Sequence, residues 1–199
     1  MSTLIYQIEF FDYWHAGTGL VSGANSDALV QKDPNDRPFI PGKTLKGLLR
    51  EAAETLKALG HDKITDEFIR DVFGERNLDD KEAKGDNRIE KEAKSFFGNA
   101  TLSARLQGEI TKSNAKFLYR QIASTAIESN GQAKDYSLRN VEVTVPMVLY
   151  APINRFNKEY KEAMTACLNW IKRMGLNRNR GLGRCQFKIY SKKDKNQNG

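Results

Sequence analysis

Two short segments combine positive charge with glycine, and both could bind phosphate groups. The first is residues 41–47, which read PGKTLKG and come directly before an apolar helical stripe. The amides of a first helical turn, with Lys43 and Lys46 beside them, favour phosphate because the N–H groups are donors at the positive end of the helix dipole. An ordinary helix start with solvated lysines is the alternative, since the glycine spacing of a nucleotide-binding P-loop is absent.

The second segment is residues 173–184, which read RMGLNRNRGLGR, and no acidic residue lies between Lys172 and Lys193. Glycines allow close backbone approach to a phosphodiester chain, and arginines bind phosphate through planar, permanently charged guanidinium groups. The segment follows a predicted helix and precedes a predicted strand, which excludes a Rossmann dinucleotide fingerprint. A solvated glycine turn is the alternative to a nucleic-acid-binding loop.

A long loop between residues 12 and 38 holds three aspartates that could act on RNA, namely Asp27, Asp33 and Asp36. An aspartate in a loop is usually a turn former. If the two basic segments hold an RNA backbone, however, a carboxylate just before residues 41–47 can lie beside a phosphodiester. It could there bind a divalent metal, or orient the 2′-hydroxyl that attacks the adjacent phosphorus.

Tyr13, Trp14 and His15 begin the same loop and could stack on bases, although a Trp next to a strand is more often part of the core. The chain has two histidines, which give no basis for a Ser-His-Asp or Cys-His nucleophile. The two cysteines, Cys167 and Cys185, lie far apart without metal-ligand spacing. We therefore expect no structural zinc site and a reducing compartment.

The composition fits one folded domain with an anionic partner. Of 199 residues, 39% are hydrophobic, and 32 Lys plus Arg against 25 Asp plus Glu give a formal net charge of +7. A surplus of that sign favours nucleic acid first and an acidic membrane surface second. No apolar run approaches the roughly 18 residues of a membrane span. The first ten residues do not resemble a signal peptide, so we expect a cytoplasmic protein without a membrane partner.

The first half of the chain contains the clearest helix. Alternating residues predict an opening strand over 3–11, and a stripe of leucine and alanine over 45–59 predicts a helix that stops at Gly60. A short second helix is expected between Thr65 and Gly74. The segment 75–94 is densely charged with both signs, which is typical of a solvated insertion.

The second half is predicted to complete a mixed fold. Strands are expected over 102–111, 116–122 and 141–149, with an edge or bulge at Pro146. Asn130-Gly131 indicates a hairpin turn. A helix over 160–174 and a last strand over 185–190 follow. The resulting order, β-α-(insert)-β-β-α-β, is that of a ferredoxin-like fold, which is common in RNA-binding proteins.

These segments together resemble the RAMP superfamily of CRISPR-associated proteins. Residues 37–50 (RPFIPGKTLKGLLR) are similar to its proline-tyrosine-isoleucine-proline-glycine-serine-serine-leucine-lysine-glycine helix start, with Lys43 and Thr44 in place of the usual serines. Residues 178–184 resemble the superfamily's C-terminal glycine-rich loop. Phe97-Gly98, expected to precede a strand, is similar too.

Residues 122–143 resemble the hairpin "thumb" of the repeating backbone subunit of type III effector complexes, and the resemblance runs from His15 to Phe187 in the same order. It implies an α+β fold, with a modified ferredoxin-like (RRM-like) core in a single domain over residues 1–199. Within that domain it implies a helical, charged insertion at 60–97, a thumb hairpin at 123–139 and a flexible tail at 191–199.

The resemblance also implies an activity. That subunit polymerises along a guide CRISPR RNA beside other CRISPR effector subunits, and a loop aspartate cuts the paired target RNA with a divalent metal, Mg²⁺ or Mn²⁺. In the family this aspartate precedes an aspartate-proline pair by six residues, as Asp27 precedes Asp33-Pro34. Gln31-Lys32 replaces the usual isoleucine-arginine. Asp27 is thus implied as catalytic and metal-binding residue. The residues expected to bind RNA are His15, Lys43, Thr44, Lys46, Arg50, Lys134, Arg139, Arg178, Arg180, Gly181, Gly183 and Arg184.

Three other interpretations remain open at this point. The chain could be a non-catalytic subunit of the same assembly, in which Asp27 is only a turn residue. It could be a guide-precursor processing endoribonuclease that uses His15 as general base without a metal, although those enzymes usually carry two such folds. It could also be a stand-alone RNA-binding module that forms no complex.

Overall fold

A computed structural model describes most of the chain, namely residues 2–17, 28–75, 93–125, 132 and 139–191. The predicted catalytic Asp27, Lys134, the Asn130-Gly131 turn, the charged residues 76–92 and the tail 192–199 lie outside the described residues. The predictions that concern them therefore stay predictions.

The described chain is mixed α+β, as predicted, and it contains six strands and five helices. The strands are β1 (Ser2–Phe10), β2 (Phe96–Phe97), β3 (Tyr119–Ser124), β4 (Arg139–Thr144), β5 (Val148–Phe156) and β6 (Cys185–Ile189). The helices are α1 (Gly42–Ala58), α2 (Asp66–Phe73), α3 (Ala104–Glu109), α4 (Lys112–Ala115) and α5 (Lys161–Trp170), with short 3₁₀ turns at Lys116–Leu118 and Lys158–Tyr160.

The main sheet has four antiparallel strands in the order β2-β5-β1-β6. Its central strand β1 alternates as predicted, so that Tyr6, Ile8 and Phe10 face the core. The helices α1 and α5 cover that face, α1 after β1 and α5 after β5. Among these elements the chain follows the predicted order β-α-β-β-α-β.

The helix α1 follows its predicted stripe closely. Leu45, Leu49, Ala52 and Leu56 are buried, and the helix ends just before Gly60, whose φ is +80°. The short helix α2 starts where Thr65 accepts a hydrogen bond from the Phe68 N–H. Among the residues that the structure describes, no helix has both the length and the apolar character that a bilayer span needs.

A second, two-stranded sheet pairs β3 with β4, from Tyr119 opposite Thr144 to Ser124 opposite Arg139. The free edge of β4 is covered by single bridges, one from Trp14 to Thr144 and one from Ala28 to Val141. These bridges attach the long loop of the first half of the chain to the two-stranded sheet.

Two predicted strands are wrong in whole or part. Within residues 102–111, Ala104–Glu109 form the helix α3 instead of a strand, because the Ser103 hydroxyl accepts a hydrogen bond from the Leu106 N–H and caps a helical turn. The strand predicted from Lys116 starts only at Tyr119 and continues to Ser124.

The predicted strand 141–149 is two strands in different sheets. The break falls at Val145–Met147, around Pro146, whose ring cannot donate a ladder hydrogen bond. The second of these strands, β5, extends to Phe156, and its partner β2 lies inside the segment 60–97 that was predicted to be an insertion. Phe97 of β2 is buried, so the end of that segment belongs to the main sheet.

Candidate nucleic-acid interface

The first turn of α1 has fewer free amides than expected. The Gly42 N–H donates to Asn99 Oδ1 at 2.9 Å, and the Thr44 N–H donates to the Pro41 carbonyl at 3.0 Å. A Cβ on Gly42 would lie 2.1 Å from the Phe97 carbonyl oxygen, so this glycine allows the helix to pack against β2. Of the predicted phosphate-binding amides in this turn, the Lys43 N–H is therefore the one left available in the described structure.

The side chains at the start of α1 differ in their availability. Lys43 and Thr44 are exposed, and Lys46 is half-buried. Arg50 turns inward, where its Nε donates to Glu54 at 2.8 Å and its Nη1 donates to the Phe73 carbonyl at 3.4 Å. These contacts assign Arg50 to the packing of α1 against α2, which disfavours its predicted role in binding phosphate.

The glycine- and arginine-rich segment packs against the residues that follow β1. The Leu176 N–H donates to the His15 carbonyl at 3.0 Å, and the Gly183 N–H donates to the Tyr13 carbonyl at 2.8 Å. At the end of the loop, the Phe11 N–H donates to the Arg184 carbonyl at 3.0 Å. The loop is thus fixed at both ends beside the segment that leads towards Asp27.

Two glycines of this loop, Gly181 and Gly183, have different structural roles. Both Gly181 and Gly183 have positive φ, +90° and +68°, a conformation that strains other residues. A Cβ on Gly183 would lie 2.0 Å from the Met174 carbonyl oxygen, whereas a Cβ on Gly181 would meet no atom within 4 Å. Gly183 is therefore required by the fold, and the open space at Gly181 is what close approach of a ligand needs.

We expect Gly183→Ala to destabilise the loop more than Gly181→Ala. Both substitutions carry the strain of a positive φ, about 1–3 kcal/mol, but Gly183→Ala adds a collision with backbone. Urea unfolding and RNA-binding assays on the two variants measure how much that collision lowers the stability and the RNA affinity of the protein. Equal stability and equal RNA affinity of the two variants would contradict the assignment of Gly183 to the fold.

The loop also reaches α1, the helix that begins with the first basic segment. A cavity of about 170 Å³ has Arg178 on one side and four residues of α1 on the other, Leu48, Glu51, Ala52 and Thr55. Thr44 lies on the same helical face as Leu48, about 6 Å along the axis. Thr44 and the arginine loop therefore lie on the same side of the molecule. Lys43 and Lys46 lie on other faces of α1, because each residue turns the helix by about 100°.

The remaining predicted cations differ in their surroundings. Arg178 and Arg180 are exposed. Arg184 is also exposed, but its Nε lies 3.3 Å from Asp12 Oδ2 and its guanidinium lies over the Phe11 ring. Arg139 is exposed at the start of β4, where the described part of the hairpin ends.

His15 does not have the exposure that a role in RNA binding requires. Its side chain is 3% exposed, and its Nδ1 lies 2.7 Å from the Glu142 carbonyl oxygen. Trp14 is 1% exposed and stacks on Phe10, as the core alternative anticipated, whereas Tyr13 is exposed. The burial of His15 disfavours its predicted role in RNA binding and favours a structural role.

A buried glutamate that the sequence analysis did not single out holds the residues directly after Asp27. The Glu142 carboxylate accepts hydrogen bonds from the Val30 N–H at 3.1 Å and from Lys32 Nζ at 2.7 Å. The Glu142 N–H donates to the Ala28 carbonyl at 3.2 Å. A single residue of β4 therefore fixes three positions of the segment 28–32.

The other loop aspartates differ from each other. Burial alone would raise the pKa of Asp33, but hydrogen bonds from Arg37 and the Asn35 N–H lower it below its usual value. This is the geometry of a turn former. Asp36 is exposed, and its carbonyl accepts a hydrogen bond from the Tyr119 hydroxyl at 2.6 Å. Burial, with Glu142 and Asp36 nearby, raises the pKa of that hydroxyl.

The described residues do not by themselves fit a metal centre, since they contain no group of three or more His, Cys, Asp or Glu side chains that could hold an ion. Cys167 and Cys185 are both buried, and burial raises the pKa of each thiol to about 12. The thiols are therefore protonated and inert at neutral pH.

Comparison with solved structures shows the same fold in a known assembly. A chain of type III-B Cmr-beta bound to cognate target RNA, solved by cryo-EM, aligns with a TM-score of 0.67 and 11% identity over 95% of this chain and 97% of that one. A chain of Cmr-beta in the apo state aligns with a TM-score of 0.65 and 14% identity over 96% and 98%. A search of curated protein sequences finds no match.

The RAMP superfamily model matches residues 7–186, which include β1, the start of α1 and the arginine loop. This match covers most of the chain and agrees with the resemblance inferred from residues 37–50 and 178–184. The chain belongs to the RAMP superfamily.

Proposed function

We propose that this protein is a guide-RNA-binding backbone subunit of a type III CRISPR effector complex and that it cleaves the target RNA paired with the guide. One observation carries the proposal: Arg178 lines one cavity with α1, so the arginine loop lies beside the helix that begins at residues 41–47 of a RAMP fold. Lysines and arginines on two neighbouring elements can bind a phosphodiester backbone without reading its sequence.

In this proposal the predicted RNA-binding cations divide into two groups. Lys43 and Lys46, with the hydroxyl of Thr44, bind guide phosphates from α1, and Arg178, Arg180 and Arg184 bind them from the loop. Arg139 begins β4, and Lys134 lies between β3 and β4 in the sequence; we propose that β3, β4 and the residues between them act as the thumb against the guide–target duplex. The partners are copies of this chain, other effector subunits and the target RNA, in the cytoplasm.

The proposed catalytic residue is Asp27, and the proposed cofactor is a divalent cation, Mg²⁺ or Mn²⁺. Magnesium is commonly bound by one or two protein carboxylates together with substrate phosphates, so a single aspartate beside RNA suits this ion. When bound, the ion would stabilise charge at the reacting phosphate. The contribution of this chain is to orient the target's 2′-hydroxyl and phosphate at the Asp27 carboxylate.

The described geometry bears on two of the alternatives. A metal-free processing enzyme with His15 as general base is disfavoured, because the His15 ring is buried and its Nδ1 is bonded to the Glu142 carbonyl. A non-catalytic subunit of the same assembly retains every contact described above, so it differs from our proposal only in the chemistry at Asp27.

Purification from the native host tests the assembly. We expect several copies of the chain to co-purify with a discrete short RNA, and Arg178→Ala/Arg180→Ala to reduce that RNA at least about 10-fold, since each lost phosphate contact weakens binding. The matched control is Lys63→Ala, which removes an exposed lysine paired with Glu162. A monomer without RNA would instead support a stand-alone module and overturn the proposal.

A further inference from the structure

The cavity between α1 and the arginine loop has an aromatic wall that the proposed function does not use. Trp170, the last residue of α5, lines it together with Lys172, Arg173 and Arg178. The apolar floor is formed in part by Leu48, and its volume is about 170 Å³. We call this cavity the Trp170 groove.

Trp170 differs in its surroundings from the other tryptophan of the chain. Its side chain is 46% exposed, whereas Trp14 is 1% exposed and stacked on Phe10. The residues before and after it on the core side, Leu168 and Ile171, are buried. The helix therefore packs normally while one large indole lies at the surface beside cations.

The charge of the groove indicates an anionic occupant. Three cations line it, Lys172, Arg173 and Arg178, against a single carboxylate, Glu51. An exposed indole beside Arg and Lys is the combination that proteins use for single-stranded nucleic acid, in which bases stack on the ring and phosphates contact the cations. The groove also has room for one flat base.

We propose that the Trp170 groove binds one unstacked nucleotide of single-stranded RNA. Its base stacks on the Trp170 indole, and the flanking phosphates contact Arg173 and Arg178. The proposal rests on the proposed function, since it takes RNA as the ligand. It adds a site that binds a base to the phosphate contacts proposed for α1 and the loop.

Intrinsic fluorescence of the full chain tests the stacking directly, because the chain has two tryptophans and Trp14 is sealed from ligands. We expect a 12-nucleotide oligouridylate at low salt to quench the tryptophan emission of wild type and to leave that of Trp170→Phe unchanged.

Filter binding measures the contribution of the ring to affinity. Trp170→Ala should lower the affinity for the oligouridylate about 5- to 100-fold, and Trp170→Phe should retain most of the wild-type affinity because phenylalanine also stacks. The matched control is Phe96→Ala, which removes an exposed ring from the edge strand β2 and should change affinity less than twofold.

The outcomes separate this proposal from the one it rests on. RNA binding by wild type without quenching, with equal affinity of Trp170→Ala, overturns the Trp170 site and leaves the proposed function standing. A wild-type chain that binds no RNA, alone or in its native complex, overturns both. If Trp170→Ala instead abolishes self-association and leaves RNA affinity unchanged, the groove is a protein interface and the RNA assignment is wrong.

Discussion

Asp27→Ala is expected to abolish cleavage of the target RNA while guide binding and assembly remain intact. A carboxylate that orients the attacking hydroxyl, or holds a metal beside the phosphate, contributes about 100-fold or more to the rate. The basic residues that we propose to hold the guide lie on α1 and the arginine loop, so the substitution leaves them unchanged. The measurement is cleavage of a labelled complementary RNA in magnesium by the reconstituted complex.

Asp36→Asn is the matched control for this experiment. Asp36 is an exposed carboxylate of the same long loop, and asparagine tolerates its φ of +60°. We expect this variant to cleave as wild type does. Undiminished cleavage by Asp27→Ala would remove Asp27 from the site, and a wild-type complex that binds target but does not cut it would identify a non-catalytic subunit.

The elements that the sequence predicts well are those with a local cause. The helix α1 follows from apolar residues at helical spacing and from Gly60, which allows the positive φ at its end. The strand β1 follows from simple alternation, because one of its faces is the core and the other is partly exposed.

The strands that were misassigned depend on distant partners. The strand β2 has two residues, and it exists because Phe96 and Phe97 pair with Asn154 and Ile153 of β5. No pattern within two residues can predict such a pairing. In contrast, the helix at 104–109 had a readable signal, since Ser103 is a favoured N-cap residue.

Residue types indicate a basic surface, but side-chain partners decide which cations are available. Arg50 lies four residues before Glu54, a spacing that favours an ion pair on a helix, and the two do pair at 2.8 Å. The exposed Trp170 comes at the end of a helix whose other large apolar residues are buried, so the sequence pattern alone does not reveal its exposure. Glu142 lies between two valines of a predicted strand and therefore gave no signal of burial at all.

Glu142→Gln is expected to release the segment that follows Asp27 and to slow cleavage at saturating target about 10-fold, with little change in target affinity. The carboxylate accepts hydrogen bonds from both Val30 and Lys32, and an amide can accept only one of them while its NH₂ faces the other donor. Loss of a buried, charge-assisted hydrogen bond costs about 2–3 kcal/mol. The segment 28–32 should then exchange its amide hydrogens faster.

The matched control is Glu109→Gln, which alters an exposed ion pair with Arg105. In the Lys32–Glu142 pair, by contrast, the two side chains are only 28% and 9% exposed. An exposed pair such as Arg105–Glu109 contributes about 0.5 kcal/mol, so the Glu109→Gln variant should unfold, exchange its amide hydrogens and cleave as wild type does.

Lys32→Gln, at a more exposed position, should slow cleavage as well. Adding it to Glu142→Gln should slow cleavage by less than the product of the two single effects, because both substitutions act on one contact. Faster exchange at residues 28–32 with an unchanged cleavage rate would show that Glu142 only stabilises the fold. A lower rate at saturating target, with guide and target still bound, would show that the buried carboxylate of β4 holds the loop of Asp27 in its working position.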